Sequence, residues 1–200
     1  MTLPLLQLAV LVYLLGLIGI HRKGWQLLLY VWGAFGFAYL LIHLSLLQEW
    51  NVALATLEAR HLQAIMAPAG VALTFVDDTT LLVPDPTGWS GMRIGVECST
   101  LIELSVFTGL MLFYPRLSLE KRWKYLASGF IGTYVLNLIR LVIITVIIAT
   151  WGKPTVPIAH AVVGRLVYFA GVVALYWFLL TRPTLALVHR SIEATGRAVR

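Results

Sequence analysis

The sequence predicts an all-α integral membrane protein with about five transmembrane helices and a small extracytoplasmic cap, which consists of an amphipathic helix and a β-hairpin. The first observation behind this prediction is that 60% of the 200 residues are hydrophobic and only 12% are charged. The second is a mean hydropathy of +0.86. The third is that the basic residues form short clusters between long apolar runs, which is typical of membrane topology signals and not of a surface that binds nucleic acid.

The first two transmembrane helices are predicted at about residues 3–20 and 26–47. The 18 residues of the first run, at about 1.5 Å each, nearly span a hydrocarbon core of about 30 Å. The charges at residues 21–23 follow this run, whereas a cleaved secretory signal has its positive charges before the apolar run, so we expect a retained helix. In the second run, Gly33 and Gly36 are predicted points of close helix approach.

The one extended polar segment, residues 48–97, is predicted to form the extracytoplasmic cap. Over residues 49–66, apolar and charged positions alternate at helical spacing, which predicts an amphipathic helix that lies on the membrane surface. The polar side of this helix is predicted to carry Glu49, Glu58, Arg60 and His61.

Two short apolar runs in the cap, residues 71–76 and 79–83, predict the strands of a β-hairpin. Two aspartates separate them. Residues 84–88 contain two prolines and a glycine and are predicted to form a turn. Residues 92–96 are predicted to add a third strand, which leads directly towards Cys98.

Three more transmembrane helices, at about residues 98–114, 123–150 and 157–180, complete the predicted bundle, so that residues 1–200 form a single membrane domain. The distribution of basic residues predicts the orientation, because ten of the 15 Lys and Arg residues fall on one side, which we expect to be cytoplasmic. These ten are Arg22, Lys23, Arg116, Lys121, Arg122, Lys124, Arg182, Arg190, Arg197 and Arg200. The cap has two basic residues against six acidic ones and is predicted to face outward.

Three polar side chains on separate spans are predicted to lie at one depth. Cys98 stands at the outer mouth of the third span. Arg140 comes 16 residues after Lys124, or about 24 Å from the inner face, and His160 lies three residues after Pro157, about one turn below the outer surface. The sequence therefore places a thiol, a guanidinium and an imidazole together in the outer leaflet.

These three residue types suit acyl transfer. A thiol has an ordinary pKa of about 8.5, and an adjacent cation lowers it. Arg140 can supply that cation and stabilise an oxyanion, while His160 can accept the thiol proton and return one to a leaving amine. Because Cys98 is the single cysteine, no intrachain disulfide and no multi-cysteine metal site can form. Spacing alone leaves open that Arg140 reaches the outer headgroups and that His160 is an ordinary interfacial residue.

Neighbouring polar residues bear on this hypothesis. Asn137 stands three residues before Arg140 on the same helix face and is expected to orient the guanidinium. Glu97 would raise the pKa of the adjacent thiol unless it points away. Glu103 is expected to pair with Arg140 or Arg165.

Three short motifs stand at the predicted outer ends of three spans: Glu97-Cys98-Ser99, Asn137-Leu138-Ile139-Arg140, and His160 followed by Gly164. Each is weak alone, but their order and placement over about residues 71–180 resemble the exosortase and archaeosortase family of membrane transpeptidases. The sequence departs from that family at Thr100, where a glycine is usual, and at Ile102-Glu103, where an arginine is often found.

The resemblance implies residue roles. Cys98 would be the nucleophile, Arg140 the charge stabiliser and His160 the acid/base residue. The supporting residues would be Glu97, Ser99, Asn137, Gly164 and Arg165.

The resemblance also implies a substrate, namely an exported protein with a C-terminal tail made of a short motif, a transmembrane helix and a basic cluster. The expected location is the prokaryotic plasma membrane, in contact with lipid, with the site on the extracytoplasmic side. No cofactor or metal is expected, since HExxH is absent and His43, His61 and His160 lack ligand spacing.

Two functions of different kinds thus follow from the sequence. The first is a cysteine-dependent membrane transpeptidase or protease that cleaves C-terminal sorting signals through a thioester. The alternative is a non-catalytic membrane assembly or transport partner that binds an anionic lipid or peptide through Arg140 and His160, with Cys98 incidental.

Overall fold

The computed structural model describes residues 3–47, 49–96, 98–114, 118–182 and 185. Its six helices within those ranges are α1 (Leu3–Arg22), α2 (Gln26–Leu47), α3 (Trp50–Met66), α4 (Leu101–Leu112), α5 (Leu119–Trp151) and α6 (Lys153–Thr181). Its strands are β1 (Thr74–Phe75), β2 (Thr80–Asp85) and β3 (Gly88–Arg93). Five residues used in the sequence predictions lie outside the described residues: Glu97, Arg116, Arg190, Arg197 and Arg200.

The helices confirm the prediction of a mostly helical membrane protein. Four described helices, α1, α2, α5 and α6, are long and apolar enough to cross a membrane. The predicted span at residues 98–114 is the apolar helix α4, which has 12 residues and a length of about 18 Å. Because α4 is shorter than a hydrocarbon core of about 30 Å, the fifth span stays a prediction.

Glycines bring the helices α1, α2 and α4 close together. The ring of Phe113 packs onto Gly33, and the ring of Tyr13 packs onto Gly36, which confirms the predicted close approach at both positions. On α4, Gly109 lies against the backbone of α2, so that a Cβ atom there would overlap the carbonyl oxygen of Ala34. The short helix α4 is therefore held against α2 by direct backbone contact.

The cap contains a three-stranded antiparallel sheet in the order β1-β2-β3. The predicted turn at residues 84–88 was wrong at its start, because Pro84 belongs to β2 and pairs with Trp89. A proline is tolerated there because β1 pairs with β2 only as far as Leu82, so the proline nitrogen faces no strand on that side. The third strand covers Gly88–Arg93 and not residues 92–96, since the turn is shorter than predicted.

Helix α3 buries one residue of its predicted polar side, Glu58. Its buried residues are Ala55, Glu58, Ala59, Leu62 and Met66, whereas Leu57 and Ile65 are exposed. The placement of Glu58 on a solvated polar side was therefore wrong. The physical reason is the small size of Ala55 and Ala59, which lie near Glu58 on α3. They let α3 approach α5 closely, so that the Glu58 carboxyl points inward.

One buried cluster joins the cap to the outer part of the bundle. It contains apolar residues of α3, of β2 and β3, of the second half of α5 and of the start of α6, together with Cys98. The residue that carries the thiol is thus packed beneath the cap and is 5% exposed.

We expect Gly109→Ala to lower the melting temperature of the purified protein in detergent. Its methyl group must push α4 away from α2, and overpacking of this kind costs about 1–3 kcal/mol. Gly19→Ala is the matched control, because no described atom lies within 4 Å of a Cβ atom placed there. Both variants gain the same helix propensity. Equal melting temperatures for the two would contradict the close contact between α2 and α4.

Candidate active site

The thiol of Cys98 and the imidazole of His160 are in direct contact. Cys98 Sγ lies 2.8 Å from His160 Nε2, although the two residues are 62 positions apart in the chain. When Nε2 carries no proton, the thiol donates to it, and this is the arrangement of a nucleophile and its general base. The structure thereby brings together two of the three residues that the sequence singled out.

The backbone before α4 presents the thiol at a tight turn. The amides of Cys98 and Ser99 both donate to the carbonyl oxygen of Gly95 at 2.9 Å. The Ser99 hydroxyl donates to the carbonyl oxygen of Val96 at 3.1 Å. Ser99 therefore braces the turn through its own backbone segment, and helix α4 begins three residues after the cysteine.

His160 lies in an irregular part of α6. Residues Ala159–Val163 form a π-helical turn, which holds one residue more than an α-helical turn and is frequent at functional sites. Gly164 follows directly, and a Cβ atom there would come within 2.7 Å of Ile144 Cδ1 on α5. Gly164 thus allows the segment with His160 to pack closely against α5.

Asn137 holds the backbone of the cysteine. Its Nδ2 donates to the carbonyl oxygen of Cys98 at 2.7 Å, and the whole residue is buried. Sequence spacing predicted that Asn137 orients Arg140, whereas the hydrogen bond formed by this amide fixes the nucleophile turn to α5.

Arg140 is 4% exposed, and its guanidinium lies over the ring of Tyr168, with Cζ 5.3 Å from the ring centroid. A cation in this position is attracted by the ring quadrupole. Tyr168 follows His160 on α6 by eight residues, or about 12 Å along the axis. The guanidinium thus contacts α6 through Tyr168, about two turns beyond His160.

A cavity of about 390 Å³ opens beside Arg140. It is lined by Ile102, Glu103, Arg140, Arg165, Tyr168, Phe169 and Val172. The charges of Glu103 and Arg140 attract each other, and the side chains of Glu103 and Tyr168 interact. The predicted association of Glu103 with the two arginines therefore takes the form of one shared cavity, in an otherwise apolar helix face.

Glu58 is a site residue that the sequence analysis missed. Its Oε1 accepts hydrogen bonds from Thr100 Oγ1 at 2.9 Å and from the Thr100 amide at 3.3 Å. Glu58 is completely buried in α3, which is not among the helices that could span the membrane, and burial raises the pKa of its carboxyl to about 7. The one available signal was its position between Ala55 and Ala59, two small residues of the same helix.

Metal binding finds no support in the described residues. Within the ranges that the structure covers, no group of three His, Cys, Asp or Glu side chains is arranged to hold a metal ion.

The long apolar helices define the chain as a multi-pass membrane protein. Its sequence matches the profile of the transmembrane exosortases over residues 2–178, and the chain belongs to that family. Membership implies an enzyme of the peptidase or transpeptidase type, which acts on exported substrates with C-terminal signals. Comparisons with curated proteins and with solved structures found no match.

We expect the buried carboxyl of Glu58 to make stability depend on pH. With a pKa of about 7 in the folded protein against 4.5 as its ordinary value, the folded state keeps a proton that the unfolded state has released. Stability therefore falls as the pH rises from about 4.5 through about 7, by about 3 kcal/mol at 1.36 kcal/mol per pKa unit.

The Glu58→Gln variant is neutral at every pH and keeps the shape of the protonated acid. We expect its melting temperature in detergent, compared with that of the wild type, to rise between pH 5 and pH 8. Other titrating groups affect both proteins alike, so the difference isolates Glu58. A difference that stays constant over this range would show that Glu58 is ionised in the folded protein.

Proposed function

We propose that this exosortase is a cysteine-dependent transpeptidase or protease that cleaves C-terminal sorting signals of exported proteins, with Cys98 as nucleophile. The observation that carries the proposal is the 2.8 Å contact between Cys98 Sγ and His160 Nε2. A nucleophile within hydrogen-bond reach of a base is the arrangement that covalent acyl transfer requires.

The reaction follows from this pair. His160 Nε2 takes the thiol proton as the Cys98 sulfur attacks the carbonyl carbon of the scissile peptide bond. The tetrahedral intermediate collapses when the carbon–nitrogen bond breaks, and His160 returns the proton to the leaving amine. A thioester remains on Cys98. An acceptor amine or a water then attacks the thioester carbonyl while His160 removes its proton. The carbon–sulfur bond breaks, and His160 returns this proton to the Cys98 sulfur, which regenerates the thiol.

Arg140 is the proposed stabiliser of the negative charge that develops on the substrate oxygen. Its charge is fixed at every relevant pH, and in a nearly dry site a fixed cation acts more strongly than in water. Insertion of an arginine near the membrane interior costs about 2.5–3.5 kcal/mol, so such residues usually face a cavity or a partner. The cavity shared with Glu103 and Arg165 supports this role, with Arg165 as a second cation beside it.

The proposed substrate is an exported protein whose C-terminal tail combines a short motif, a transmembrane helix and a basic cluster. Family membership supports this class of substrate. A tail anchored in the lipid would present its scissile bond beside the helices that carry Cys98 and His160. The proposed location is the prokaryotic plasma membrane with the site on the extracytoplasmic side, which the asymmetry of basic residues in the sequence supports.

We expect Cys98→Ala to abolish processing of an exported reporter fused to such a tail from the same cell. Loss of the nucleophile should lower the rate by about 10³-fold or more, and Arg140→Gln by about 10²-fold. Arg93→Gln is the control, because Arg93 is exposed on β3. Immunoblotting of the reporter measures the cleavage. Processing that persists in a stable Cys98→Ala protein would sink the proposal.

We also expect His160→Ala to slow the alkylation of Cys98 by iodoacetamide at pH 7 by about tenfold, because the thiol loses its proton acceptor. Labelling is unambiguous since the chain has one cysteine. His43→Ala is the matched control, as the His43 ring lies against Tyr39 on α2. Equal rates in all three proteins would favour the non-catalytic alternative, in which Arg140 and His160 bind an anionic lipid or peptide.

A further inference from the structure

We propose that Glu58, as a neutral carboxylic acid, is a positioning residue that holds the Cys98 turn in place through Thr100 and Asn137. This role rests on the proposed function of Cys98 as nucleophile. Glu58 belongs to the cap helix α3, so the proposal makes the cap a structural part of the active site.

The first step is the contact with Thr100, which is the residue before helix α4 and lies two positions after Cys98. Thr100 is completely buried, and its side chain does not cap its own helix. Instead, both its hydroxyl and its amide donate to Glu58 Oε1. A carboxyl from a different helix thus satisfies one of the first amides of α4, and it ties the turn to α3.

The second step is the contact with Asn137. The side chains of Glu58 and Asn137 interact, and the Asn137 amide donates to the Cys98 carbonyl oxygen. Glu58 Oε2 and Asn137 Oδ1 are both buried, and neither has a hydrogen-bond partner among the described residues. Two such oxygens are both acceptors while Glu58 is a carboxylate. In the proposed arrangement, a proton on Glu58 Oε2 makes it a donor, and Asn137 Oδ1 is the buried acceptor that it satisfies.

Burial and the charge of a neighbouring residue favour the neutral form of Glu58. Burial is the largest effect that raises the pKa of Glu58, and the negative charge of Glu103 on α4 acts in the same direction. The charge of Glu58 in turn reaches two titratable groups, Tyr134 on α5 and Tyr168 on α6, and the Tyr134 hydroxyl is hydrogen-bonded to His61 of α3. Hydrogen bonds from Thr100 and Asn137 oppose the shift without cancelling it.

In this proposal, the Glu58 contacts set the distance between the Cys98 thiol and its proton acceptor, His160. The Cys98 turn is held from α3 through Thr100 and from α5 through Asn137, whereas the proton acceptor His160 comes from α6. Since a misplacement of about 1 Å can lower a catalytic rate about 10²-fold, loss of the Glu58 contacts should act on the chemical step.

The test compares Glu58→Ala, Glu58→Gln and, as a control at an exposed glutamate of α5, Glu120→Gln. The full-length enzymes are reconstituted in vesicles, and kcat and KM are measured on the same tailed reporter between pH 6 and pH 8.5. We expect Glu58→Ala to lower kcat about 10- to 100-fold with KM within about twofold. We expect Glu58→Gln to stay within about threefold of the wild type at pH 6, because it donates and accepts as the protonated acid does.

The pH dependence of kcat separates the positioning role from a purely structural role, because a purely structural role would leave this pH dependence unchanged. Above about pH 7 the wild type should lose activity relative to Glu58→Gln, since ionisation of Glu58 leaves Glu58 Oε2 and Asn137 Oδ1 as two buried acceptors without a donor among the described residues. A ratio of the two activities that is independent of pH would overturn the neutral form, and wild-type kcat in Glu58→Ala would overturn the positioning role. If Glu58→Ala does not fold, Thr100→Val takes its place, because it removes the hydroxyl donor and keeps the shape.

These outcomes are separable from failure of the proposed function. Cleavage that persists in Cys98→Ala rejects the nucleophile and with it this inference. An inactive Cys98→Ala beside a fully active Glu58→Ala rejects the positioning role alone.

Discussion

Polar groups inside a bundle of apolar helices must find their partners within the protein, because lipid offers none. Beneath the cap this constraint acts on three almost fully buried side chains, Glu58 of α3 and Asn137 and Arg140 of α5. Each meets a group from another helix: the Thr100 hydroxyl and amide, the Cys98 carbonyl oxygen, and the Tyr168 ring. The pairings fix α3, α4, α5 and α6 relative to one another where the thiol and the imidazole meet.

The short helix α4 serves this arrangement. Backbone contact at Gly109 fixes it against α2, and the Phe107 ring packs against Gly129 of α5. Because α4 begins only at Leu101, the turn that carries Cys98 ends beneath the cap, in the same buried cluster as residues of α3 and of the sheet. The cap thus does more than cover the bundle, since its residue Glu58 hydrogen-bonds Thr100 next to the Cys98 turn.

Irregular backbone appears where the chemistry is placed. The π-helical turn at Ala159–Val163 changes the phase of α6, so that His160 reaches Cys98 while Tyr168, farther along the same helix, lies beneath Arg140. A regular helix would relate these two side chains by a fixed angle. The additional residue gives His160 and Tyr168 their own orientations.

The sequence by itself determined the class of protein, since long apolar runs are stable only in a membrane or a buried core. It also determined helix α2 at residues 26–47, the approximate position of the cap along the chain, and the pairing of Cys98 with His160. The shared depth of these residues along the predicted spans carried that last inference. Only the tertiary structure decided that Glu58 points inward and that Asn137 binds the Cys98 backbone. It also decided that Pro84 lies within a strand. Periodicity describes how one helix or strand divides its own faces, whereas these outcomes depend on which neighbour each face meets, and that is fixed by packing between segments distant in the chain.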